Sequence, residues 1–205
     1  DLETLQRSAP LWRTDYRYGE PVGYQTHTFG LALWLPQTGT GVMKTDKFTT
    51  RSSLGSTVVF SWKITEPENN LLEMRKLKDE FDELRPYYFE DYYPLTSTQH
   101  ILGDSVWMAY QLNRKSACDG IVVAFRRAMA PDSACTVCLK GLDAKCVYTL
   151  TDRDSHRSFI RTGAELARGL QLVLPEKRSS LVLMYAATTP PDTPRSVPKQ
   201  RKGSK

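Results

Sequence analysis

The pattern of apolar residues changes near Pro94, and that change limits the fold more than any single motif does. Before it, apolar runs alternate with helical periods. "APLWRTD" reads as a strand, "GYQTHTFGLALWL" as a helix and "STVVFSW" as a buried strand. The clearest helix follows, with Leu71, Met74, Leu77, Phe81 and Leu84 recurring at spacings of three and four, so one apolar stripe faces a core. Thr65 and Glu68 fit a capping box with Pro67 in the first turn, and Arg75 and Asp79 can pair at i, i+4. Pro86 ends the helix, because the residue before a proline disfavours helical backbone. Alternating strand and helix predicts a parallel sheet or barrel. After Pro94 the chain reads as short strands, "VWMAYQL", "GIVVAFRR", "CTVCLKGL", "CVYTLTD", "LQLVL" and "SLVLMYA", separated by turn signals such as "APDS". That spacing predicts an antiparallel sandwich, with "RTGAELARG" as a helical turn or two between strands. The predicted class is therefore α/β plus all-β, with boundaries at 1–93, 94–186 and 187–205.

Charge narrows the partners. The 205-residue chain carries a formal +5, but most of it sits between Ala187 and Lys205, where five basic residues face Asp192 alone. That segment is rich in Pro, Thr and Ser and reads as a disordered basic tail. A nucleic-acid binder would show basic residues interleaved with aromatics on a folded face, so nucleic acid is not an expected partner. No run approaches the roughly 20 apolar residues that span a bilayer. Four cysteines, Cys118, Cys135, Cys138 and Cys146, include one C-x-x-C. It lies in an alternating strand pattern that points residues three apart to opposite faces, so no metal and no cofactor are expected. The run "YYFEDYYPLT" reads either as packing between two domains, the favoured reading, or as a sugar-stacking platform.

The stretch "PLWRTDY" is an apolar run ending on a charged pair, a way to present a carboxylate at a strand tip. "DLETLQRSAPLWRTDY" resembles the segment that holds the acid/base Asp in glycoside hydrolase family 36, the microbial alpha-galactosidases. "YQTHTFGLALWLPQTGTG", "TTRSSLGSTVVFSW" and "LRPYYFEDYYPLT" resemble the closing units of that family's (β/α)8 barrel. "DSVWMAYQL", "GIVVAFRR", "LKGLDAKCVYTLTD", "TGAELARGLQLVLP" and "SSLVLMY" resemble its C-terminal antiparallel domain.

The resemblance implies a C-terminal part of a retaining glycosidase that cleaves terminal α-linked galactosides. Such enzymes need two carboxyl groups about 5–5.5 Å apart. Asp15 takes the acid/base role, while the nucleophilic Asp belongs to a strand preceding this sequence. Isolated, the chain is expected to be inactive. Arg13 and Trp12 are the expected substrate contacts, with His27 near the pocket rim and Asp1 at the start of the motif. Strand alternation puts Arg13 and Asp15 on one face and Trp12 on the other. The implied partner is an α-galactoside oligosaccharide, and the whole enzyme is expected to be homo-oligomeric. Alternatives are an α-N-acetylgalactosaminidase or transglycosidase of the same family, a noncatalytic carbohydrate-binding protein, or a basic interaction module built on the tail.

Overall fold

The computed structural model describes residues 10–13, 20–35, 37–67, 69–97 and 99–188. Asp15, Asp1 and the tail beyond residue 188 lie outside the described residues. The first half holds strands β1 (Leu11–Trp12), β2 (Thr38–Val42) and β3 (Thr57–Phe60), paired in parallel in the order β1-β2-β3. Helices α1 (Pro21–Leu31) and α2 (Lys47–Ser52) connect them, and α3 (Leu71–Leu84) follows. Pro21 opens α1, where its missing N–H has no partner to lose. Register places Trp12 beside Gly39 and Gly39 beside Thr57.

The stripe on α3 is real, with a shifted start. Met74, Leu77, Phe81 and Leu84 are buried, each contributing roughly 1.5–3 kcal/mol. Leu71 is 62% exposed. The helix begins later than the sequence predicts, because Asn70 accepts hydrogen bonds from the Leu72 and Glu73 amides and takes the cap that Thr65 was expected to supply. Glu68 lies outside the described residues. Ion pairs along the helix join Lys76 to Glu73 and Lys78 to Asp82.

Elements absent from the sequence reading include a strand and a helix of the first half. Strand β2 is "TGTGV", whose glycines read as loop, yet all five residues are buried. A strand covered by neighbours on both sides can tolerate the low propensity of glycine when the space beside it is tight; a Cβ on Gly39 would meet the Thr57 Cβ at 3.3 Å. Helix α2 is capped by Asp46, which accepts from the Thr49 amide. Strand β3, expected to be buried, is half-exposed, with Val59 47% accessible. It is an edge strand of the described sheet.

The second half is a six-stranded antiparallel sheet in the order β4-β5-β6-β11-β8-β9. Its strands are β4 (Asp91–Pro94), β5 (Trp107–Arg114), β6 (Asp119–Arg126), β8 (Val147–Asp152), β9 (Ser158–Thr162) and β11 (Ser179–Ala187). Strands β7 (Ala134–Val137) and β10 (Leu170–Val173) form a separate antiparallel ribbon, preceded by α4 (Gly163–Arg168) with a complete Thr162–Glu165 capping box. The large sheet is buried on both faces along its central strands β5 and β6, while the edge strand β9 is largely exposed. Met108, Tyr110, Ile121, Val123, Phe125 and Val182 pack with Phe29, Phe48, Phe81 and Leu84 from the helices. Ala109, Val122, Ala124 and Leu183 pack on the other side with Val137, Leu166, Leu170 and Leu172.

Gly120 lies where β5, β6 and β11 converge, and a Cβ there would collide with the Leu112 carbonyl oxygen and the Tyr185 hydroxyl. That hydroxyl receives a 2.7 Å hydrogen bond from Gln111 and donates one of 2.8 Å to Asn113. Gly120→Ala is expected to destabilise the chain by about 1–3 kcal/mol, read from urea unfolding. An unchanged midpoint would show that the sheet yields freely at this point.

Candidate functional site

Parallel strands deliver side chains to their carboxyl ends, so the tips of β1, β2 and β3 define the candidate site. Beyond β2 and β3, residues 43–46, with Ser61, Lys63, Glu66 and Asn69, line an open cleft of about 390 Å³. Met43 forms an apolar part of its wall, while Lys44, Asp46, Lys63, Glu66 and Asn69 supply polar groups. The loops are tied together: the Trp62 indole donates to the Lys44 carbonyl at 3.1 Å, Asn69 donates to the Lys63 carbonyl at 2.7 Å, and Thr45 reaches Asn69 Oδ1 at 3.4 Å. Lys63 and Glu66 pair at 2.7 Å.

At the tip of β1, the residue pair expected to meet substrate divides between two faces. Trp12 is 47% exposed on the face away from the helices. Arg13 is buried on the helix side. Its guanidinium donates to Thr28 Oγ1 at 2.5 Å and to the Ser53 and Leu54 carbonyls at 3.3 Å each. These oxygens carry no formal charge, so burial lowers the Arg13 pKa to about 10, with the Tyr110, Tyr88 and Tyr24 hydroxyls opposing the shift. Arg13 remains a cation at neutral pH, fixed between α1 and the end of α2. His27 is half-buried on α1. Asp15 lies outside the described residues.

The aromatic run seals the seam between the two halves. Tyr87 and Tyr88 are buried, the Tyr88 and Tyr110 hydroxyls share a 2.7 Å hydrogen bond, and Tyr92 donates to the Phe29 carbonyl at 2.9 Å. These contacts supply the packing role and take those rings away from any sugar platform. Among the described residues no group of three or more His, Cys, Asp and Glu could hold a metal. The cysteines are free thiols; Cys146 is buried and the other three are partly so.

The strongest electrostatic feature was missed by sequence reasoning. Arg51, at the end of α2, is fully buried. It binds Glu80 of α3 through two nitrogens, at 2.6 and 3.0 Å, and Asp154 of the β8–β9 turn at 2.7 and 2.8 Å. Glu80 also accepts from Arg153 at 2.8 Å, and Asp154 from Lys47 at 2.9 Å. Burial alone would push the Asp154 carboxyl up, but the hydrogen bonds and charges of Arg51 and Lys47 outweigh it and hold the group at about 2. A second polar bridge runs from Arg127 through Gln25 (2.8 Å) to Ser52 (3.0 Å). Nothing local in "TTRSS" marks Arg51 for this, since its partners lie 29 and 103 residues away.

Sequence comparison returns no match to a family model or to a curated protein. Solved structures do match. A doubly substituted form of the alpha-galactosidase AgaA from Geobacillus stearothermophilus, in complex with raffinose, aligns with TM-score 0.65 and 18% identity. AgaB from the same organism aligns with TM-score 0.62 and 18% identity, and the galactosidase domain of the alpha-galactosidase-sucrose kinase AgaSK with 0.62 and 16%. Each alignment covers 83% of this chain and 25% of the other. The fold is that of family 36 alpha-galactosidases. The chain spans a quarter of the length of these family 36 structures, and the correspondence embraces both the antiparallel half and residues preceding it, since neither half alone reaches that coverage.

Proposed function

We propose that this chain supplies the general acid/base, Asp15, to a retaining glycosidase acting on terminal α-linked galactosides. The observation that carries the reading is the likeness in fold to family 36 alpha-galactosidases, and Leu11 and Trp12, just ahead of Asp15 in the sequence, form a parallel strand. In this reading residues 1–93 are the closing part of a (β/α)8 barrel, residues 94–186 a β-sandwich and residues 187–205 a tail. The half-exposed face that carries Trp12 and Val59 is the side turned to the barrel interior.

The chemistry divides between two carboxyl groups. A nucleophilic Asp, carried by sequence preceding this chain, attacks the anomeric carbon and forms a glycosyl ester. Asp15 protonates the departing oxygen, then takes a proton from the water that releases galactose. The neighbouring carboxylate keeps Asp15 protonated at the start. Esterification removes that charge, so Asp15 ionises more readily for the second step. This role requires the chain to turn over the sheet tip after Arg13, because strict alternation would carry Asp15 to the helix side with Arg13. Strand β1 already ends at Trp12. Arg13 supports the tip from beneath, since reaching a sugar would mean surrendering its hydrogen bonds to Thr28, Ser53 and Leu54. Trp12 offers its ring to the sugar from the open face.

The test is turnover of an aryl α-galactoside. The 205-residue chain by itself is expected to show none, and a polypeptide extended through the nucleophile strand is expected to be active. Steady hydrolysis by the isolated chain would refute the division of labour.

A further inference from the structure

We infer that two connections of the antiparallel half hold the candidate site in place. Arg178, between β10 and β11, and Asp154, in the β8–β9 turn, are positioning residues that grip helix α2 and so set the loop 43–46 leading into it. The link to substrate rests on the glycosidase reading. The grip runs along the helix. Arg178 pairs with the cap residue Asp46 at 3.3 Å, donates to Thr49 Oγ1 at 3.3 Å and lies 4.9 Å over the Phe48 ring. Asp154 takes Lys47 at 2.9 Å and Arg51 at 2.7 and 2.8 Å. Arg51 also donates to the Ser180 carbonyl at 3.2 Å.

Backbone strain marks the same two connections. Arg178 (φ 49°) and His156 (φ 56°) are two of the four non-glycine residues with positive φ among the described residues. Left-handed backbone is unfavourable for a residue with a Cβ, so it persists where the surroundings enforce it and points to a role there. The Arg178–Asp46 pair is half-exposed and adds little to stability, so stability alone does not account for the strain. In the other turn, Asp152 accepts from the Asp154 amide at 2.9 Å and the Ser155 hydroxyl at 2.6 Å, which fixes the segment that carries the Asp154 carboxylate to α2. The loop itself is short and held at both ends. Val42 accepts from the Ser61 amide at 2.9 Å, and Asp46 is the cap under Arg178. A shift of the first turn of α2 would therefore move residues 43–46 within the cleft they line.

The experiment is amide hydrogen exchange on the 205-residue chain and its Arg178→Gly and Arg178→Lys variants, read beside urea unfolding. The Thr49 amide is the reporter, because it donates to Asp46 Oδ1 at 3.0 Å. Glycine relieves the left-handed backbone while removing the side chain, so the urea midpoint is expected to hold. Thr49 is expected to exchange at least about fivefold faster, and the amides of the β6–β11 ladder to keep their rates. Lysine restores the charge and is expected to return Thr49 to within about twofold of the parent. In the polypeptide that also carries the nucleophile, Arg178→Gly is expected to raise KM for an aryl α-galactoside about three- to tenfold with kcat within about twofold, because Asp15 follows a different strand. Unchanged Thr49 exchange in the glycine variant, acceleration spread evenly over the ladder, lysine behaving as glycine, or a lower kcat at constant KM would each overturn the positioning role. Absence of turnover by the extended parent would withdraw the glycosidase reading and the link to substrate, and Thr49 exchange would still decide the grip.

Discussion

Replacing Arg51 with methionine is expected to destabilise the chain by about 3–5 kcal/mol, the usual consequence of leaving a buried charge without its partner. For a chain of this size that is a fall in Tm of roughly 10 °C. Glu80, 4% exposed, would keep Arg153 alone as its cation, and Asp154 would keep Lys47. The two halves would also lose a hydrogen-bonded ionic bridge between α2, α3 and the β8–β9 turn. The same pairing sets an acid limit. Asp154 has a folded-state pKa of about 2 against 3.8 for a free carboxyl, so its stabilisation is fully present above about pH 4 and disappears as pH falls towards 2. After allowance for its partial exposure, that contribution is about 1–2 kcal/mol. Urea unfolding at pH 7 and pH 3 checks both statements. In the Arg51→Met variant the pH dependence over this window should shrink, and an identical pH dependence in both proteins would remove Arg51 as its cause. A paired variant, Arg51→Met with Glu80→Leu, is expected to recover part of the loss, because it removes the stranded carboxylate too.

The second large effect concerns Asp15→Asn in the polypeptide that also carries the nucleophile. For galactosides with poor leaving groups, kcat/KM is expected to fall about 10²–10⁴-fold, the usual span for loss of general acid catalysis. Aryl substrates with acidic leaving groups need little protonation, so their first step should suffer less. Their second step still lacks a base to activate water, and the glycosyl ester should accumulate. Added azide needs no such base and should restore turnover. The alkaline limb of the pH profile, set by ionisation of the acid, should vanish. A residue that merely holds the strand tip would depress all substrates alike and leave azide without effect, and that pattern would withdraw the acid/base role.

What the sequence by itself determined was whatever depends on near neighbours. Helical spacing fixed the stripe of α3. Its α-helical part ends at Leu84, but Arg85 before Pro86 keeps helical backbone and the chain runs on as a 3-10 turn to Phe89. The six short strands expected after Pro94 are present, with β9 added between them. The resemblance to family 36 read from distributed short segments agrees with the fold. Tertiary structure decided the rest. Glycine-rich β2 is a strand because neighbours cover it, Arg13 is buried in hydrogen bonds to Thr28, Ser53 and Leu54, and Arg51 meets Glu80 and Asp154 from distant parts of the chain. The physical reason is range. Periodicity and capping act over a few residues, whereas burial and the pairing of charges depend on which surfaces meet when the chain closes on itself.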